Sequence, residues 1–207
     1  MAVCTRSAGV TAKVLKYSDN SGTVPVLFTA SQDCKASHFK VQPQISNDSG
    51  LKGNFRQSLN MNYAQNNRHF YQQKVDSLTL GIGEKSPFKI RIVKNTLPLP
   101  RYGYHDIAIH IDREKGFSGE VNIRLTHKQG GLSAIDQVKV KKDQKSINYR
   151  VNAAGNAPLG EWPLVFVATA SHNGLSYEVA SDQYDLNVIP QFIQAKLEIV
   201  SFKQGEE

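Results

Sequence analysis

Six histidines, His38, His69, His105, His110, His127 and His172, are the residues from which a metal site or proton relay could be built. Asp106, His110 and Asp112 come nearest to a ligand set, because they share the polar side of one alternating run. Carboxylate and imidazole both ligate divalent ions. On an extended strand rising ~3.3 Å per residue, however, these three positions spread over roughly 20 Å, too far for one ion. Distance leaves His110 with Asp112, set against the plain reading of a solvated strand face. Nucleophilic chemistry is no better provided. Gly116-Phe117-Ser118-Gly119 lacks the spacing of a nucleophile elbow, and no HExxH or P-loop occurs. Gly81-Ile82-Gly83 is followed by no helical pattern and reads as a bulge or turn. Cys4 and Cys34 match no CxxC spacing. They read either as a disulfide tying the N-terminal strand to a neighbour or as two separate thiols. The sequence therefore assigns no catalytic residue, no cofactor and no metal ligand.

Binding chemistry has better candidates. The stretch Asn60 to Gln73 carries amides at Asn60, Asn62, Gln65, Asn66, Asn67, Gln72 and Gln73. Amides donate and accept together, which suits a hydroxyl-rich ligand such as a sugar. Tyr63, Phe70 and Tyr71 lie among them as stacking platforms, and Tyr102, Tyr104 and Trp162 offer the same chemistry further along. Each also has a plain reading as a core aromatic, since large apolar bodies are usually inside.

These side chains need a scaffold, and the pattern that supplies one is strict alternation. In Asp106 to Leu125, Ile107, Ile109 and Ile111 alternate with polar neighbours, and Val121, Ile123 and Leu125 do the same. Successive strand side chains point to opposite faces, so this reads as two half-buried strands joined by a glycine-containing hairpin connection. Similar runs cover Val10–Lys16, Thr23–Ala30, Ser37–Ile45, Val75–Gly81, Phe88–Val93, Ile135–Val140, Ser146–Val151 and Tyr184–Ile189. Leu164–Ala170 is almost wholly apolar and is expected to be covered on both faces. His172-Asn173-Gly174 suits the positive φ angles of a tight hairpin. No amphipathic helix pattern is found. The fold class expected is all-β: two tandem β-sandwich modules, with a C-terminal strand or the start of a further repeat. Leu97–Gly103, stiffened by Pro98 and Pro100, is expected to mark the module boundary. Lys89-Ile-Arg-Ile-Val93 recurs as Lys196-Leu-Glu-Ile-Val200, an echo expected of a tandem array.

Composition narrows the function classes. The chain has 207 residues and 40% hydrophobic content, enough for a core. No window approaches the roughly 18 apolar residues of a membrane span. The first residues form no signal peptide, which leaves a cytoplasmic protein or a piece of a longer exported chain. The net charge of +7 is uneven. Residues 1–103 hold 14 Lys and Arg against 5 Asp and Glu, whereas residues 104–207 hold 11 against 13. A basic first module suits an acidic glycan or cell-wall polymer. Nucleic acid is disfavoured, because no recognition helix, arginine run or aromatic ladder accompanies the charge.

Residues 87–190 resemble the immunoglobulin-like repeats of large secreted or surface-attached bacterial proteins. The residues that carry this are PFKIRIV (Pro87–Val93), EKGFSGEVNIRL (Glu114–Leu125), NAPLGEWPLVFVATA (Asn156–Ala170) and YDLNVIPQF (Tyr184–Phe192). Residues 1–86 resemble the pre-peptidase C-terminal-like β-sandwich domains that accompany such repeats. Residues 191–207 then form a C-terminal strand or begin a further repeat. The resemblance implies an extracellular or cell-surface parent protein whose other domains are the partners. It also implies a non-enzymatic role as spacer or adhesion module. A different class of function is a carbohydrate-binding or substrate-positioning accessory module of a secreted hydrolase.

Overall fold

The computed structural model describes residues 2–4, 9–17, 24–35, 37–46, 49–62 and 69–193, with the backbone alone for 2–4, 45–46, 61–62 and 69–70. Among the described residues there is no helix, and the protein is all-β. It divides into two units, Met1–Pro87 and Phe88–Glu207. The echo at Lys196–Val200, the further repeat and the turn at Ser18–Gly22 lie outside the described residues.

The first unit holds β1 (Ala2–Cys4), β2 (Val10–Val14), β3 (Val26–Ala30), β4 (Ser37–Ser46), β5 (Lys52–Asn54), β6 (Gln57–Asn62), β7 (His69–Val75) and β8 (Leu78–Ile82). β4 organises it. Its first half pairs with β8 and its second half with β1 and β5, all antiparallel. β2–β3 and β6–β7 form separate two-stranded ribbons. Val75–Gly81, expected as one strand, is broken at Asp76-Ser77: β7 ends at Val75 and β8 begins at Leu78. The two halves serve different partners, β6 and β4, which the period-2 pattern does not register.

The second unit is a sandwich. Its strands are β9 (Phe88–Ile92), β10 (Leu99–Pro100), β11 (Tyr104–Arg113), β12 (Val121–His127), β13 (Leu132–Ala134), β14 (Val138–Val140), β15 (Ser146–Ala153), β16 (Gly160–His172), β17 (Leu175–Ala180) and β18 (Tyr184–Ile189). One sheet runs β13-β15-β11-β9; the other runs β10-β18-β16-β12-β14, with β17 also on β16. Ile107, Ile109 and Ile111 from one sheet and Val121, Ile123, Leu164 and Phe166 from the other enter one core. Each such side chain contributes about 1.5–3 kcal/mol when fully buried. Tyr149 crosses the core from β15. Its ring meets Phe166 edge-on at 5.0 Å, its hydroxyl donates to the Ile135 carbonyl, and the Leu125 amide donates to that hydroxyl at 3.3 Å.

Three expectations are corrected here. β11 and β12 are not a hairpin: β11 pairs with β9 and β15, while β12 pairs with β14 and β16. The connection between them carries the chain from one sheet to the other. The proline-bearing stretch is no boundary, because Leu99 is fully buried and β10 pairs in parallel with β18. Pro100 is tolerated there because the strand is at the sheet edge. Of Ile135–Val140 only Val138–Val140 is strand, β14, and exposed Ile135 lies on the crossing that leads to it from β13 in the other sheet.

β16 is the longest strand among the described residues and changes neighbours midway. Gly160–Leu164 pair with β18 and Val167–His172 with β17, with β12 on the other side. Residues 162–168 are all buried, as their apolar run required. At the change of neighbour the ladder would leave Phe166 unpaired. Ser181 fills the gap: its N–H donates to the Phe166 carbonyl at 2.8 Å, and the Phe166 N–H donates to its Oγ at 3.1 Å.

Candidate ligand-binding surface

The outward face of the β13-β15-β11-β9 sheet carries the charged residues read as ligands, but it spends them on one another. Arg150 Nε and Nη2 donate to both Asp106 oxygens at 2.7 Å. Arg91 Nε and Nη2 donate to Asp112 at 2.5 and 3.0 Å. Hydrogen bonding to arginine holds both carboxyls below their ordinary range. His110 lies between them on β11, in register with Arg91 and Ser146. Asp112 of the His110–Asp112 pair is therefore engaged by Arg91, and among the described residues no cluster of three metal-ligating side chains occurs.

The six aromatic candidates separate. Trp162 is 8% exposed and its Nε1 donates to the Pro158 carbonyl at 2.8 Å, so it plugs the core and is no platform. Tyr71 is 56% exposed on the β6–β7 ribbon, where Gln72 Nε2 donates to Asn60 Oδ1 at 2.9 Å, so two of the amides serve each other. Tyr63 and the Phe70 side chain lie outside the described residues. Tyr102 and Tyr104 come together at the start of β11, 77% and 59% exposed.

Their positions are fixed by local structure. The Gly103 amide donates to the Pro100 carbonyl at 3.0 Å, closing a tight turn with Tyr102 at its third place. Tyr102 has φ 62°, a left-handed conformation costly for a side-chain-bearing residue. Its amide donates to the Ala153 carbonyl at 2.8 Å, and its ring lies across Gly155. A Cβ on Gly155 would come within 2.1 Å of the Tyr102 hydroxyl oxygen, so glycine is required beneath the ring. Tyr104 is held from one side: the Arg150 guanidinium carbon sits 4.0 Å from its ring centroid, and Asp106 anchors that guanidinium. Asn152 lies opposite Tyr104 in register. The result is two exposed tyrosines two residues apart, with Asn152, Arg150 and Asp106 beside Tyr104 and one face of its ring covered by the guanidinium. The spacing Tyr-Gly-Tyr was legible in the sequence; the supporting residues Arg150, Asn152 and Gly155 were not, because they arrive from β15 and the loop after it.

The first unit holds a cavity of about 470 Å³ lined by Gln42, Gln44, Asn54, Phe55, Arg56 and Asp76. None of these was singled out in the sequence. Cys34 is half-buried with its Sγ 3.5 Å from Ser31 Oγ, and the Cys4 side chain lies outside the described residues. Among the described residues no helix is long and apolar enough to cross a membrane.

No protein-family model and no curated protein match the chain. Among solved structures it is similar to a conjugative transposon lipoprotein from Bacteroides eggerthii, at 19% identity and a TM-score of 0.32, over 50% of this chain and 99% of that one. It is also similar to an endo-fucoidan hydrolase of glycoside hydrolase family 107, at 14% identity and a TM-score of 0.30, over 88% of this chain. The match spans 24% of that enzyme's length.

Proposed function

We propose that the chain is a non-enzymatic interaction segment of a larger extracellular bacterial protein, its second unit an immunoglobulin-like module that holds or spaces a partner. The observation that carries this reading is Tyr102. A tyrosine is kept in a strained backbone conformation, exposed, with its ring laid over a glycine. Left-handed backbone costs a non-glycine residue roughly 1–2 kcal/mol, so folding alone gives no reason for tyrosine there. Binding does, because a rigid exposed aromatic gives large contact area at little entropic cost.

The second reading, a carbohydrate-binding accessory module, is favoured by the company Tyr102 keeps. Tyr104 and Asn152 supply stacking and hydrogen-bonding groups of the kind sugars use, and the Arg150–Asp106 pair holds the Tyr104 ring in place. The test is binding of the full chain to immobilised bacterial cell-wall and plant or algal polysaccharides. Tyr102→Ala and Tyr104→Ala are each expected to weaken retention about tenfold, and the polymer is expected to remain uncut. Retention indifferent to both substitutions overturns the tyrosine surface as the binding site, and release of shortened polymer overturns the non-enzymatic reading.

A further inference from the structure

We infer that the first unit carries a saccharide-binding cavity of its own, built from Gln42, Gln44, Asn54, Phe55, Arg56 and Asp76. This rests on the reading of the chain as a binding segment and adds a second site with a ligand class.

The cavity follows from strand geometry. Residues two apart on a strand share a face, so Gln42 and Gln44 project together from β4. Val41, beside them in sequence, is fully buried on the opposite face. β5 places Asn54 opposite Gln44 in antiparallel register. The Phe55 amide then donates to the Pro43 carbonyl at 3.0 Å, which keeps Phe55 and Arg56 beside the two glutamines. Asp76 comes from the break between β7 and β8. The volume of about 470 Å³ falls within the ~300–1,000 Å³ of small-molecule sites.

The lining selects the chemistry. Three amides each offer donors and an acceptor, Arg56 adds donors and Asp76 adds acceptors. Vicinal hydroxyls donate and accept at once, and they match this mixed set. A phosphate or carboxylate would use the donors but leave the amide oxygens idle and face Asp76. An alkyl ligand would bury unpaired polar groups at ~1–3 kcal/mol each. Half-buried Phe55 gives a wall on which the C–H face of a pyranose can pack. Among the described residues, no side-chain hydrogen bond or ion pair engages the five polar groups, so they are available. Arg56 and Asp76 balance in charge, so the favoured ligand is a neutral sugar. That differs from the acidic polymer suggested by the basic first half of the sequence.

The test compares the full chain with its Gln44→Ala, Asp76→Ala and Tyr102→Ala variants. The probes are immobilised neutral, uronate-bearing and sulfated oligosaccharides, at low and high salt. Gln44 and Asp76 are both exposed, and unchanged far-UV circular dichroism checks that the variants fold. Binding of a neutral oligosaccharide that resists salt and falls about tenfold in Gln44→Ala and in Asp76→Ala supports the site. Binding that Tyr102→Ala abolishes and the other two leave intact places the sugar on the second unit; it overturns the cavity and spares the proposal above. Binding confined to acidic glycans and lost at high salt assigns the affinity to net charge and overturns the cavity. Silence of the folded chain across all probes overturns the cavity and the carbohydrate reading together.

Discussion

Tyr102 sits where glycine would fold more easily. Its φ of 62° and its exposure set stability against binding at one position. Tyr102→Gly is expected to raise the stability of the second unit by about 1 kcal/mol, seen as a higher denaturation midpoint, while ligand retention falls. A lower midpoint would show that the ring contributes packing over Gly155 that outweighs its strain. Ser181 makes the opposite case, a small residue with a structural task. Its hydroxyl accepts from the Phe166 amide and donates to the Asp182 carbonyl at 2.7 Å, inside the unit. Ser181→Ala leaves that amide unpaired, at an expected cost of about 1–3 kcal/mol in a urea titration. Ser181 was illegible in the sequence, because a serine before Asp182-Gln183 looks like any turn residue until β16 is seen to change partners. Trp162 was legible as far as chemistry allows: a large aromatic before an apolar strand suits a core or a platform, and the neighbouring loop decided for the core by offering the Pro158 carbonyl.

Strand existence was written into the alternation, and strand partnership was not. The isoleucines of β11 and the Val121 and Ile123 of β12 announce half-buried strands, since period 2 requires one apolar face. Each sheet of a sandwich presents such a face to the core, so sequence neighbours read alike whether they pair or oppose each other. The glycines between β11 and β12 serve the crossing as well as they would a hairpin. By contrast, β16–β17 was legible as a pair, because Asn173 (φ 50°) and Gly174 (φ 77°) supply the left-handed angles that a two-residue turn demands. The apolar run of β16 was equally clear, and it has a dynamic consequence. Amides of Val167–Thr169, flanked by β12 on one side and β17 on the other, are expected to exchange with deuterium at the slow limit set by unfolding of the unit. Amides of the β6–β7 ribbon, which pairs with no further strand among the described residues, are expected to exchange much faster. Equal protection in β16 and in the ribbon would contradict this ranking.

At the scale of the whole molecule, protons are expected to destabilise the fold through burial rather than through lost ion pairs. His105 is 7% exposed, with its Nε2 3.4 Å from the Tyr184 hydroxyl. That hydroxyl donates to the Asn95 carbonyl at 3.1 Å, so it can only accept from the ring, which fixes the proton on Nε2. Burial lowers the His105 pKa, with Asp106 opposing weakly, and burial lowers that of His127 as well. A histidine depressed in the folded state is protonated more readily when unfolded. Its stabilising contribution is therefore complete above the ordinary value of 6.5 and is lost as pH falls from there towards the folded-state pKa. Asp106 and Asp112, lowered by their arginines, act with the same sign at more acid pH, but their exposure makes them minor. The net charge of +7 grows as histidines take up protons, and self-repulsion adds to the trend. The melting temperature of the second unit is thus expected to fall steadily between about pH 7.5 and about pH 5, with the steeper part near the histidine range. In His105→Gln that fall is expected to shrink, even if the variant starts from a lower melting temperature at neutral pH, because one of the two protonation sites has been removed. A melting temperature that stays level or rises on acidification would mean that His105 is open to water in solution, and the packing of Tyr184 and Asn95 against it would have to be redrawn.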